Sequence, residues 1–230
     1  MKKLVLLCAL LAIAGSAQAN LLLNGGFEED NWGMSGYLPS WTSAVFFYPS
    51  PPWGTQAPVL SKIPSYGIFV GTGVPFEGSY FAGTDFGGHA NFHVGLYQTF
   101  ATTPGASYLV SGAFMGGVED SNDNAWWEVK IAHGTTADPD APGDVIAKKE
   151  RLAGAGGFSF RETFGPVMFT ATDTTSTMFL KWGRLQSADY KLEACGFDAM
   201  SVELVPEPGS LIALASGLIG FAGLALRKRS

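Results

Sequence analysis

The sequence predicts an all-β fold, a jelly-roll-like β-sandwich of about eight or nine strands, and three observations carry that expectation. Short runs rich in β-branched and aromatic residues alternate with Gly/Pro/Asn/Asp turn signals. The chain of 230 residues holds 30 glycines and 13 prolines, a density of breakers that leaves little room for long helices. No sustained 3.6-residue periodicity, tandem repeat or heptad runs through the body. Many short strands without intervening helices are stable when two antiparallel sheets bury one face each against the other.

The elements follow in order. Leu21–Leu23 reads as an opening strand. Next come Ser79–Gly83 (SYFAG), His93–Phe100 (HVGLYQTF), Ser107–Met115 (SYLVSGAFM) and Trp126–His133 (WWEVKIAH). Phe158–Glu162, Val167–Ala171, Thr177–Arg184 (TMFLKWGR) and Gly196–Val205 (GFDAMSVELV) complete the set. Thr103-Pro104-Gly105-Ala106 is a turn signal between two of them.

Alternation supports the assignments: in HVGLYQTF, Val94, Leu96 and Gln98 share one face, and His93, Gly95, Tyr97 and Thr99 the other. In FDAMSVEL, Phe197, Ala199, Ser201 and Glu203 oppose Asp198, Met200, Val202 and Leu204. The charged run Asp144–Arg151 is readable as a short helix or a loop. Asn31–Gly67, with six prolines, reads as an elaborated surface loop or an irregular pair of edge strands.

Both ends stand apart from this body. MKKLVLLCALLAIAGSAQA combines Lys2 and Lys3, an apolar stretch from Leu4 to Ala14, and small residues at Ala17 and Ala19. That is the pattern of a secretory signal peptide over residues 1–19, cleaved before Asn20. The alternative, a membrane anchor, needs a longer apolar run. Removal of Cys8 with this segment leaves Cys195 as the lone thiol, expected to be a small buried residue in a strand of a fold without disulfides.

The body, residues 20–204, is long enough for one well-buried core. Without its ends, the chain keeps 9 of its 14 basic residues and 19 of its 20 acidic ones, a net charge of −10. Such an acidic body argues against nucleic acid and anionic membrane surfaces, and is compatible with calcium and neutral glycans.

Residues 205–230 form the third segment. Leu211 to Leu226 gives 16 uncharged residues, and a helix of that length spans about 24 Å, a little short of a hydrocarbon core. Flanking residues and snorkelling of Arg227, Lys228 and Arg229 make up the difference, with the basic end held on the cytoplasmic side. Val205-Pro206-Glu207-Pro208-Gly209, an apolar helix and the terminal basic triplet together resemble a PEP-CTERM sorting signal.

That resemblance implies a Gram-negative exported protein held transiently in the inner membrane. An exosortase would recognise Pro206, Glu207 and Pro208, remove the tail, and release the body to the cell surface or extracellular matrix. The physics is compatible: the two prolines resist helix and strand pairing, so the motif is an accessible, extended linker.

A second resemblance concerns the body. Asn20-Leu21-Leu22-Leu23-Asn24-Gly25-Gly26-Phe27-Glu28 is similar to the opening of galactose-binding-like jelly rolls and carbohydrate-binding modules. Trp41, Pro75–Tyr80, Leu96–Phe100, Pro104–Tyr108 and Phe197–Val202 follow in that family's order. The resemblance implies a structural calcium held by Glu28 and Asp198, although Ala199 stands where such modules often carry a second Asp. No other cofactor is expected.

No GxSxG, HExxH, P-loop or Cys/His metal spacing is present, and His89, His93 and His133 are isolated. The chain is therefore expected not to be an enzyme, a carboxylate pair assembled only in space being the alternative. Asp120-Ser121-Asn122-Asp123-Asn124 starts like a calcium-binding loop, but Ala125 and Ile131 replace the required Gly and Glu.

Sugar binding needs aromatic faces on which pyranose rings stack. Trp41, Tyr48, Trp53, Trp126 and Trp127 are the candidates. Adjacent Trp126 and Trp127 on a strand must point to opposite faces, so one is core and the other exposed. The expectation is a glycan-associating protein of the exopolysaccharide matrix, with a structural matrix protein without ligand as the rival.

Overall fold

A computed structural model describes residues 19–29, 38–47, 60–63, 74–88, 92–118, 124–152, 157–185 and 191–206. Ten strands lie among them: β1 (Thr42–Phe47), β2 (Ser61–Ile63), β3 (Phe81–Gly88), β4 (Phe92–Ala101), β5 (Ser107–Val118), β6 (Asn124–His133), β7 (Gly143–Arg151), β8 (Phe158–Thr170), β9 (Thr175–Leu185) and β10 (Lys191–Leu204). They form two five-stranded sheets, ordered β1-β4-β9-β6-β7 and β2-β3-β10-β5-β8. The all-β sandwich is thus present, with slightly more strands than expected.

Residues Asn20–Val202 make one compact unit. The second unit, Met1–Ala19 with Glu203–Ser230, lies almost wholly outside the described residues, and with it the signal peptide, the apolar C-terminal helix, Glu207, Pro208 and Arg227–Arg229. Among the described residues no helix is long and apolar enough to cross a membrane.

Period-2 patterning explains the layers. Val94 and Leu96 of β4, Trp127, Val129 and Ile131 of β6, and Met178, Leu180 and Trp182 of β9 point between the sheets, all 0–1% exposed. Phe114, Val118, Cys195, Phe197, Met200 and Val202 meet them from the second sheet. Burial of the predicted core thiol, Cys195, pushes its pKa well above the ordinary value.

In β10 the buried parity changes from Cys195 and Phe197 to Met200 and Val202. The change occurs at Ala199, whose φ of 52° marks a bulge-like kink, so the simple alternation expected for FDAMSVEL does not hold there.

Four segments differ from expectation. Leu21–Leu23 is not a strand but the start of a turn. Asn20 donates from Nδ2 to the Met200 carbonyl (2.7 Å) and accepts the Val202 and Leu22 amides, so beyond the one backbone bond from Leu21 N–H to Val202 O a side chain stands in for a ladder. Asn24 (φ 51°) and Phe27 (φ 55°) then curl the chain so that Phe27 plugs the core.

Asp144–Arg151, read as a helix or loop, is the strand β7. At the edge of its sheet its side chains are mostly solvated, which erases the alternation. Ser79–Gly83 moves forward into β3. The two runs Phe158–Glu162 and Val167–Ala171 join into β8, where Pro166 is tolerated because the strand is an edge. In the Pro-rich stretch, β1 and β2 are indeed edge strands, one in each sheet.

Candidate functional site

The alternation that buries Trp127, Val129 and Ile131 turns Trp126, Glu128 and Lys130 to the opposite, outer face of the first sheet. On β9 the same rule turns Phe179, Lys181 and Gly183 outward, and on β4 it turns out His93, Gly95 and Tyr97. The ladder aligns His93 and Trp126 on either side of Gly183.

Glycine at position 183 is what lets them meet. The Trp126 indole occupies the space that a Cβ at Gly183 would need. Reaching across β9, it packs edge-on against His93, with ring centroids 4.7 Å apart at 70°. Phe46, at the β1 register shift, continues the row at 4.8 Å from His93. Below it, Phe46 and Tyr97 cover Phe179 at 6.0 and 5.7 Å. Phe46, His93, Tyr97 and Trp126 all remain half-buried.

Polar groups sit beside this aromatic row. Glu128 Oε1 and Lys181 Nζ form an ion pair of 2.5 Å, nearly closed to solvent. The Lys181 ammonium also lies 5.8 Å from the Trp126 ring centroid. Lys130 and Lys181 both donate to the Pro139 carbonyl, at 3.0 and 3.2 Å. The Thr177 hydroxyl donates to Gly134 O at 2.9 Å. These bonds fold the β6–β7 loop back along the outer face as a wall.

His93 is the group left over. Its Nε2 is buried with no hydrogen-bond partner among the described residues. Burial lowers its pKa to about 4; Lys181 adds to this, while Asp140 and Glu128 oppose it. The imidazole is therefore neutral near pH 7.

The candidates named from sequence separate clearly. Trp126 lies in this row. Trp127 is a correction: it is fully buried, fills the space beside Gly116 and donates from Nε1 to Ala194 O (3.1 Å), so it offers no face to a ligand. Trp41 is a second correction. It is 5% exposed, packs on Phe27 at 5.4 Å and donates to Asn24 O, because the turned N-terminal segment folds over it. Tyr48 and Trp53 lie outside the described residues. Phe46, His93, Tyr97, Glu128 and Lys181 were not singled out. The parity of WWEVKIAH and TMFLKWGR was the available signal, since it puts polar and aromatic residues on one face.

Glu28 and Asp198 converge elsewhere, on the loop before β3. Glu28 Oε1 accepts the Ser79 and Tyr80 amides at 2.8 and 2.7 Å. Fully buried Asp198 accepts Phe76 and Glu77 on Oδ2 (2.6 and 3.1 Å) and its neighbour Ala199 on Oδ1. Burial raises the Asp198 pKa to about 6; the amide bonds pull it back down and Glu77 pushes it up.

Glu28 and Asp198, reaching one loop from the N-terminal turn and from β10, are oxygen donors of the type calcium takes. A calcium ion would share them with five amide N–H groups and would draw its remaining oxygens from backbone carbonyls. Among the described residues there is no group of three or more His, Cys, Asp or Glu side chains arranged for a metal.

No curated protein matches the sequence. Among solved structures, the chain is similar to the TmCBM61 module solved with β-1,4-galactotriose. Identity is 12%, coverage 81% of this chain and 99% of that one, and the TM-score 0.43. It is also similar to the CBM22-1 xylan-binding domain of Paenibacillus barcinonensis Xyn10C (14%, 84% and 99%, TM-score 0.41). A Stig cyclase, Fisc from Fischerella sp. TAU, is a further neighbour (15%, 83% and 99%, TM-score 0.43). Residues 204–229 match the PEP-CTERM protein-sorting motif, so the tail marks an exported protein that is sorted by an exosortase in a Gram-negative bacterium.

Proposed function

We propose that the protein binds a glycan through the outer face of the β1-β4-β9-β6-β7 sheet, and acts without catalysis in the exopolysaccharide matrix or at the cell surface. The observation that carries this reading is Trp126, half-buried and laid across Gly183 between His93 and Lys181. A pyranose presents an apolar C–H face to such a ring and equatorial hydroxyls to its polar surroundings. Binding rather than hydrolysis is favoured because Glu128, the carboxylate nearest the Trp126 ring's Lys181, is held in an ion pair with that lysine, and Glu150 is paired with Lys148. A structural calcium at Glu28 and Asp198 belongs to the same proposal, supported by the convergence of both carboxylates on one loop. So does a transient stay in the inner membrane before exosortase removes the tail. Mass determination of the surface form tests that step: a retained C-terminal segment contradicts it.

Binding is tested by depletion of the protein on insoluble polysaccharides and by calorimetry with soluble ones. Trp126→Ala is expected to weaken binding about tenfold, the upper end for an aromatic stacking contact. A folded wild-type protein that binds no polysaccharide would leave the ligand-free structural role instead.

A further inference from the structure

Resting on that reading, we propose that the face takes an uncharged glycan, with His93 as the polar residue that orients the sugar stacked on Trp126. Charges on this face cancel. Lys181 is paired with Glu128, and Lys148 with Glu150 at the outer end of the row. Lys130 is tied to Pro139 O beside Asp140. That makes three cations and three anions, on a body whose net charge is −10. A uronate, sulfate or phosphate polymer would meet no unbalanced cation among these groups and would approach an acidic molecule.

His93 points to an uncharged partner as well. His93 Nε2 has no hydrogen-bond partner among the described residues and is closed to solvent in the ligand-free protein, so a sugar hydroxyl reaches it when the half-buried Trp126 ring beside it shifts on binding. A sugar hydroxyl can donate to or accept from a neutral imidazole. Among the described residues the charged groups facing His93 are Lys181 on β9, Glu128 on β6 and Asp140 on the following loop, and burial with Lys181 keeps the ring neutral. With ring centroids 4.8 and 4.7 Å apart, the row Phe46–His93–Trp126 is at most about 9.5 Å long, the length of about two pyranose units.

The test is binding of the intact protein to an uncharged panel (xylan, galactan, mixed-linkage β-glucan) and an acidic one (alginate, polygalacturonate). Binding is expected to an uncharged polymer only, changing less than about twofold between 50 and 500 mM NaCl and staying flat from pH 8 to 5. His93→Phe should weaken it by about three- to tenfold, the loss of one neutral hydrogen bond. His93→Gln, which keeps a donor and an acceptor, should retain more affinity than His93→Phe, whereas a purely aromatic wedge would rank them the other way. Trp126-dependent binding to an acidic polymer, or a steep salt dependence, overturns the uncharged assignment and leaves the glycan-binding face standing. Equal affinity of His93→Phe and wild type overturns the role of His93. No binding to either panel overturns both readings.

Discussion

Adding one methyl group at either of two glycines should separate the core of this protein from its outer face. Gly116 on β5 and Gly183 on β9 each leave room for an indole, Trp127 inside the sandwich and Trp126 outside it. In Gly116→Ala the new Cβ collides with a ring that is 0% exposed and has nowhere to go. Overpacking of that kind costs about 1–3 kcal/mol. Displacing Trp127 also breaks its bond to Ala194 O and strands a buried N–H, adding about 1–3 kcal/mol. The sum, about 2–6 kcal/mol, lowers Tm by roughly 4–24 °C for a domain of this size.

In Gly183→Ala the same collision is relieved by swinging the half-buried Trp126 toward solvent, at a cost under about 1 kcal/mol. Restriction of the unfolded chain returns about 0.4–1 kcal/mol, so Tm should stay within about 3 °C of wild type. Urea unfolding with matched m-values measures both variants, and near-ultraviolet circular dichroism reports the Trp126–His93 contact. Similar losses in the two variants would refute the assignment of one indole to the core and the other to the face. An unchanged Trp126 signal in Gly183→Ala would refute the packing of that indole over Gly183.

Other perturbations read individual groups. Because the folded pKa of His93 lies near 4, below the ordinary 6.5, the unfolded chain takes up a proton in this window that the fold refuses, so His93 destabilises the fold as pH drops from 6.5 to 4. The loss is at most about 3 kcal/mol and nearer 1–2 for a ring still partly open to solvent, and the stability difference between wild type and His93→Phe should shift by that amount across the window. If calcium bridges Glu28 and Asp198, chelation with EDTA lowers Tm, and does so more at pH 7.5 than at pH 5, because burial lets Asp198 protonate near 6. An unchanged Tm excludes the ion. Cys195 should resist a thiol reagent until the protein unfolds, and labelling of the native state within minutes would contradict its burial.

What was legible in the sequence follows from where each strand sits. β4, β6 and β9 lie inside their sheet with one face on the core, so hydrophobicity alternates and their boundaries are read within a residue or two. β7 sits at an edge, and GDVIAKKER is solvated over most of its length, so period-2 contrast disappears. Leu21–Leu23 has a strand's composition but makes a single backbone bond to β10, Leu21 N–H to Val202 O, because the Asn20 side chain takes Met200 O and Val202 N–H and the Gln98 side chain takes both backbone groups of Leu23. Gly165-Pro166 looks like a break within a strand, yet an unpaired edge accepts a residue with no N–H to give.

The sorting tail and the binding face differ in the same way. The sorting tail carries its information in contiguous residues, and Pro206-Glu207-Pro208 is readable without any fold. The face is made by register. His93 and Trp126 lie on strands that do not touch each other, and they meet only because β9 places Gly183 between them. A one-residue slip of β9 would put Trp182 or Arg184 in that gap, each with a side chain that blocks the indole, and would turn the core residues Leu180 and Trp182 outward. The core therefore fixes the register, and the register fixes the face, so selection for a packed interior is enough to hold the Trp126–His93 contact in place.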